Sequence, residues 1–129
     1  MSTPSSSVPP SPTHPDQPTT MRAAVRDRYG AADVLAVRDV ARPVLRGGDV
    51  LVRVHAAGID RGAWHVMTGR PSLLRLVGYG FRRPKRPGLG SELSGVVEAV
   101  APGTTGFHPG DEVYGVGQDT FAEYAVAPQ

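Results

Sequence analysis

The residues best equipped for chemistry lie in two short segments. The first, Asp60-Arg61-Gly62-Ala63-Trp64-His65, places a carboxylate, an indole and an imidazole close together. An imidazole can donate a proton near neutral pH, and an indole can stack on a flat molecule. The second, Gly90-Ser91-Glu92-Leu93-Ser94-Gly95, sets one acid, Glu92, among small residues, where it can hydrogen-bond backbone or shape a cleft. Plainer uses explain the same letters: Asp60 as a helix cap, Trp64 as core and His65 as a surface residue. His55 and His108 carry weaker signals, the one in a Val-rich strand and the other in a His-Pro-Gly-Asp turn. Arg82, Arg83, Lys85 and Arg86 could meet a phosphate of a cofactor or of an acyl carrier, although a charge run in a loop reads first as a solvated face.

These segments need a scaffold. A chain of 129 residues supports one domain with one core, and 16 Gly with 13 Pro suit short strands joined by tight turns. The absence of cysteine excludes disulfides and thiolate metal motifs. Net charge is only +2 and the basic residues are scattered except in one loop, so no nucleic-acid partner is expected. No apolar run is long enough to span a bilayer, so neither is a membrane; the expectation is a soluble, cytoplasmic chain.

Residues 1–20 are dominated by Ser, Thr and Pro and cannot bury enough apolar surface to offset ordering, which predicts a disordered tail ahead of a folded unit at 21–129. Strands are predicted at 21–25, 34–40 and 50–54, the last with Val50, Val52 and Val54 on one face. Asp60 and Gly69 bracket a short helix. Residues 70–87 hold six cations and no acid, broken by Pro and Gly, and read as a loop with one helical turn at 72–77. Further strands follow at 94–101, at 112–114 after the His108-Pro109-Gly110-Asp111 turn, and at 121–126. Together these predict a mainly β fold, a small antiparallel barrel or sandwich with one or two short helices.

From Gly88 onward the order G-x-G-x-E-x-x-G-x-V-x-x-V, then a Gly-rich turn and F-x-P-G-D-x-V-x-G, resembles the N-terminal, GroES-like domain of the medium-chain dehydrogenase/reductase superfamily. The resemblance covers residues 21–129 and implies a partly open antiparallel barrel, followed in that family by a Rossmann domain that holds NADPH or NADH. None of the glycine clusters in this chain fits G-x-G-x-x-G, so no cofactor-binding residue is assigned and the 129 residues alone are expected to be inactive.

Zinc-dependent members of the superfamily carry a Cys after A-G-[VI] and a His in G-H-E. Here Ala57-Gly58-Ile59 is followed by Asp60, and the second motif reads Gly90-Ser91-Glu92. Asp60, His65 and Glu92 could offer oxygen and nitrogen, but the thiolate and the motif His are gone, so no zinc is expected. The frame from Gly58 to Gly69 is similar to the zinc-independent quinone oxidoreductase and enoyl reductase branch, with Asp60 for the usual Asn and Ala63 for the usual Asp. That likeness implies Asp60 and His65 as catalytic candidates, Trp64 and Glu92 as substrate-binding candidates, and a small carbonyl, enone or quinone as substrate. Such a reduction needs a stabilised oxyanion, a proton donor and exclusion of water. The alternatives are a stand-alone oligomerisation or interaction module, which would assemble as a homo-oligomer, and a fragment of a zinc-dependent alcohol dehydrogenase.

Overall fold

The computed structural model describes residues 18–129; most of the Ser/Pro/Thr-rich tail expected over 1–20 lies outside them. Strand β1 (Thr20–Val25) pairs antiparallel with β2 (Ala36–Ala41), Met21 opposite Val40. A four-stranded antiparallel sheet holds β3 (Asp49–Ala57), β4 (Glu92–Val100), β5 (Glu112–Val116) and β6 (Tyr124–Pro128) in the order β5-β4-β3-β6. Between β3 and β4 runs helix α1 (Arg61–Thr68). The fold is mainly β, two sheets that do not close, as in a partly open GroES-like barrel.

The alternation of β3 does what it predicts: Val50 and Val52 are buried together with Leu93, Val97 and Ala125, and Val54, Val100, Phe107 and Val113 pack around them. Leu51 on the opposite face is buried as well, so the first half of β3 is covered on both sides. Gly95 has to be glycine because a Cβ there would collide with the Arg53 carbonyl of β3. The ladder between β3 and β4 slips twice. Glu98 is an extra residue on β4 between the pairs Leu51 with Ala99 and Val52 with Val97, and His55 is an extra residue on β3 between Val54 with Gly95 and Ala56 with Ser94. Such bulges bend a strand and increase its twist.

Two strands differ from their sequence expectation. β2 begins at Ala36 because a single 3-10 turn, Ala32–Val34, uses the amides of Val34 and Leu35. The 121–126 segment is divided between the sheets. Phe121 O accepts from Ala24 N at 2.8 Å and Glu123 N donates to Arg22 O at 3.0 Å, after which the chain crosses to β3 and continues to Pro128. This crossing stitches the small sheet to the large one. The 70–87 loop takes its expected turn, with Leu74 N on Pro71 O and Arg75 N on Ser72 O, and then widens over Arg75–Tyr79, where Val77 and Gly78 leave helical geometry.

Candidate functional site

Asp60 starts α1 in extended geometry and its carboxylate accepts from Ala63 N at 2.7 Å; the helix ends at Gly69 in left-handed conformation. Both ends follow the expected capping chemistry. The cap has a second effect, because a carboxylate on the first-turn amides leaves that helix end unavailable to another anion. The Gly88-Leu89-Gly90 turn leads into β4 rather than into a helix. This turn thus brings no helix N-terminus to an anion.

No residue of α1 is buried, yet the helix is firmly placed. The holding group is Arg26, directly after β1, whose residue is only 2% exposed. Its Nη2 donates to Val66 O of α1 at 2.9 Å, while Nη1 reaches the carbonyls of Arg86, Pro87 and Gly88 at 3.2, 3.4 and 3.1 Å. One guanidinium thus ties the helix to the loop that enters β4. Burial lowers its pKa, opposed by Tyr29 and Asp119, without threatening its charge. Tyr29 continues the clamp: its ring lies under Arg26 and Arg75, and its hydroxyl is 2.7 and 2.8 Å from the Tyr79 and Gly80 carbonyls.

The face of α1 carrying Gly62, Ala63 and Val66 borders a cavity of about 480 Å³, closed by Tyr79, Lys85 and Ser91. Arg86 pairs with Asp119, and this ion pair stands between that cavity and a second, of about 550 Å³, beneath β1 and β2. Burial raises the pKa of Asp119, against the opposing pull of Arg86 and Arg26. Asp119 also has φ 54°, the left-handed region that Asp tolerates better than most residues. Gly90, at φ 89°, packs so closely on Thr120 and Phe121 that a Cβ would strike both.

Trp64 and His65 lie on the opposite face of α1, where with Arg61 they form an open depression. Their rings meet edge-on, 5.1 Å between centroids at 70°. His65 Nδ1 is 2.8 Å from Arg70 O; a carbonyl only accepts, so Nδ1 carries the hydrogen and Nε2 is left free. Trp64 is 48% exposed and is not core. Glu92 sits beside Gly58 at the start of β4, where its carbonyl accepts from Gly58 N at 3.2 Å, and it lines a third cavity with Ala57 and Tyr114.

Asp60, Trp64 and His65 therefore share one helix, and Glu92 joins the segment leading to it through Gly58. Among the described residues, Asp60, His65 and Glu92 do not converge on a point where three could ligate a metal. His55 occupies the bulge and is exposed, while His108 stays in its turn, its ring 3.7 Å from Asp111 Oδ2. Sequence reasoning missed Arg26, Tyr29 and Asp119. A lone Arg after a strand and an Asp in a turn have no spacing signature, and only the contact order of the fold reveals them.

A mainly β scaffold of two unclosed sheets, with a capped helix between its third and fourth strands, is the geometry of the GroES-like domains of alcohol dehydrogenases. The chain belongs to that family: the Alcohol dehydrogenase GroES-like domain profile matches residues 46–129. Human quinone oxidoreductase is 33% identical over 111 residues, covering 83% of this chain and 31% of that protein. The crystal structure of the human synaptic vesicle membrane protein VAT-1 homolog-like protein superposes with TM-score 0.73 at 28% identity, covering 86% of this chain and 33% of that one. A mycobacterial protein complexed with NADPH gives TM-score 0.70 at 28% identity, covering 84% and 30%. The chain thus spans about a third of the length of these relatives. No helix among the described residues is long and apolar enough to cross a membrane.

Proposed function

We propose that this chain is the substrate-side domain of a zinc-independent, NAD(P)H-dependent oxidoreductase acting on small carbonyl, enone or quinone acceptors, and that it does not turn over by itself. The observation that carries this reading is the identity with human quinone oxidoreductase over 83% of the chain. The edge-to-edge placement of Ala57-Gly58-Ile59-Asp60 against Ser91-Glu92, made by the Gly58 N to Glu92 O bond, supports it. These are the segments where zinc enzymes of the superfamily keep a Cys and a His.

In this reading Asp60 fixes the pitch and start of α1. Trp64 offers a flat half-exposed surface for a planar acceptor, and His65 holds a proton at Nδ1 while keeping Nε2 free to receive or deliver a second one. Glu92 shapes the neighbouring rim through Gly58. The nicotinamide, NADH or NADPH, is held in this reading by a separate dinucleotide-binding domain, a division supported by the absence of a G-x-G-x-x-G motif from this sequence.

The test is NADPH oxidation with a quinone acceptor, run on the 129 residues and on a protein extended by a dinucleotide-binding domain. No oxidation is expected from the short chain, and turnover there would overturn the division of labour. In the extended protein, His65→Gln should lower kcat about 10²-fold or more while leaving the melting temperature nearly unchanged. Stoichiometric zinc by elemental analysis would sink the metal-free part of the reading.

A further inference from the structure

We propose that residues 73–86 form a docking surface for an anionic lipid bilayer. Leu73, Leu76, Val77 and Phe81 are 64–66% exposed, and Tyr79 between them is 45% exposed. Scattered apolar residues on a surface need no explanation, but five within nine consecutive positions do. Tyr79 also borders the cavity beside α1, while Leu73, Leu76, Val77 and Phe81 line none of the cavities described above.

Nor does the loop fall back onto the body to hide them. Tyr29 hydroxyl holds the Tyr79 and Gly80 carbonyls, Lys85 N donates to Tyr79 O at 3.0 Å, and Arg75 Nε donates to Gly69 O at 3.0 Å. The backbone is pinned from inside while the apolar side chains point away.

The charges are as one-sided as the apolar groups. Residues 61–91 contain seven cations and no acid, in a chain whose total charge is only +2. Arg75 is spent on the clamp and Arg86 on Asp119. Arg82, Arg83 and Lys85 are exposed and in no salt bridge among the described residues, although Arg83 also helps lower the pKa of Asp27.

This pairing selects the partner. Cations alone would suit any phosphate polymer, but projecting leucines and a phenylalanine have nothing to meet on one. A rigid protein partner would need pockets matched to each side chain. A bilayer interface accepts apolar groups at any spacing and presents lipid phosphates to the adjacent Arg and Lys. The sequence expectation of no membrane partner rested on spanning length, which a surface-bound loop does not need.

The experiment is flotation of the 129-residue chain with phosphatidylcholine vesicles, pure or with about one-third phosphatidylglycerol. The chain should float with the anionic vesicles at low salt, stay behind with the neutral ones, and be released by added salt. Leu76→Glu with Phe81→Glu should abolish flotation at an unchanged melting temperature. Arg82→Gln, Arg83→Gln and Lys85→Gln should each weaken partitioning roughly fivefold. Absence of flotation with anionic vesicles overturns the proposal. So does flotation that Leu76→Glu with Phe81→Glu leaves intact, and so does a lipid-free dimer that this substitution dissolves, which would assign the patch to a second copy of the chain.

Discussion

Val52 and Val97 sit at the centre of β3 and β4 with 1% and 2% exposure, whereas no residue of α1 is more than partly buried. The first region is held by apolar packing and a backbone ladder that two bulges interrupt. The second is held by directed polar contacts: one guanidinium on four carbonyls, a tyrosine hydroxyl on two more, and a carboxylate cap. Apolar packing is strong but tolerant of small shifts, while hydrogen bonds to a planar cation fix distance and direction. The helix carrying the candidate residues is thus positioned accurately on a layer free to open before the core does.

Three substitutions probe that contrast. Leu93→Ala removes part of the core cluster and should cost about 3–4 kcal/mol, shifting the whole unfolding transition; a smaller loss confined to β4 amides in hydrogen exchange would mean the core is not one unit. Arg26→Ala leaves four part-buried carbonyls without their donor and should cost about 1–3 kcal/mol. Its signature should be loss of amide protection in α1 and residues 85–90 while β3 and β4 stay protected, and Arg26→Lys should restore little because an ammonium lacks the fork. If Arg26→Ala melts both regions together, the two-layer description is wrong.

The smallest effect concerns Asp119. Its pKa is raised in the folded chain, so the folded state favours the protonated form, and stability falls at this site as pH rises from the ordinary aspartate range through the raised value. Asp119→Asn does not ionise and keeps a residue that tolerates left-handed backbone. It should gain on the parent between acid and neutral pH by no more than about 1 kcal/mol, because the side chain keeps contact with solvent. Chemical denaturation at several pH values reads this directly, and a parent that gains on the variant with rising pH would show Arg86 outweighing burial.

The strands with a clean period were legible in the residues: Val50, Val52 and Val54 predicted the core face of β3, and Asp60 with Gly69 predicted both ends of α1. The crossing at Phe121–Glu123 was not, because alternation in Phe-Ala-Glu-Tyr-Ala-Val fixes a pleat but not which sheet supplies the partner. The orientation of α1 was also hidden. Trp64 could serve as core, yet it stands half exposed while the small residues Gly62, Ala63 and Val66 border a cavity. That choice is made by Arg26, which grips a backbone carbonyl and is therefore indifferent to the helix side chains.

The paired bulges behave like a copying error and its correction. Glu98 puts β4 one residue ahead of β3, and His55 lets β3 catch up, so that Val50 with Val100 and Ala57 with Leu93 obey the same register. The bond from Gly58 to Glu92 continues that restored frame, and with it the meeting of the two segments that carry every candidate residue. Deleting either inserted residue alone would displace Asp60 against Ser91 by one strand step, about 3.3 Å, and turn one segment over. Deleting both would straighten the sheet and still deliver the two segments in phase.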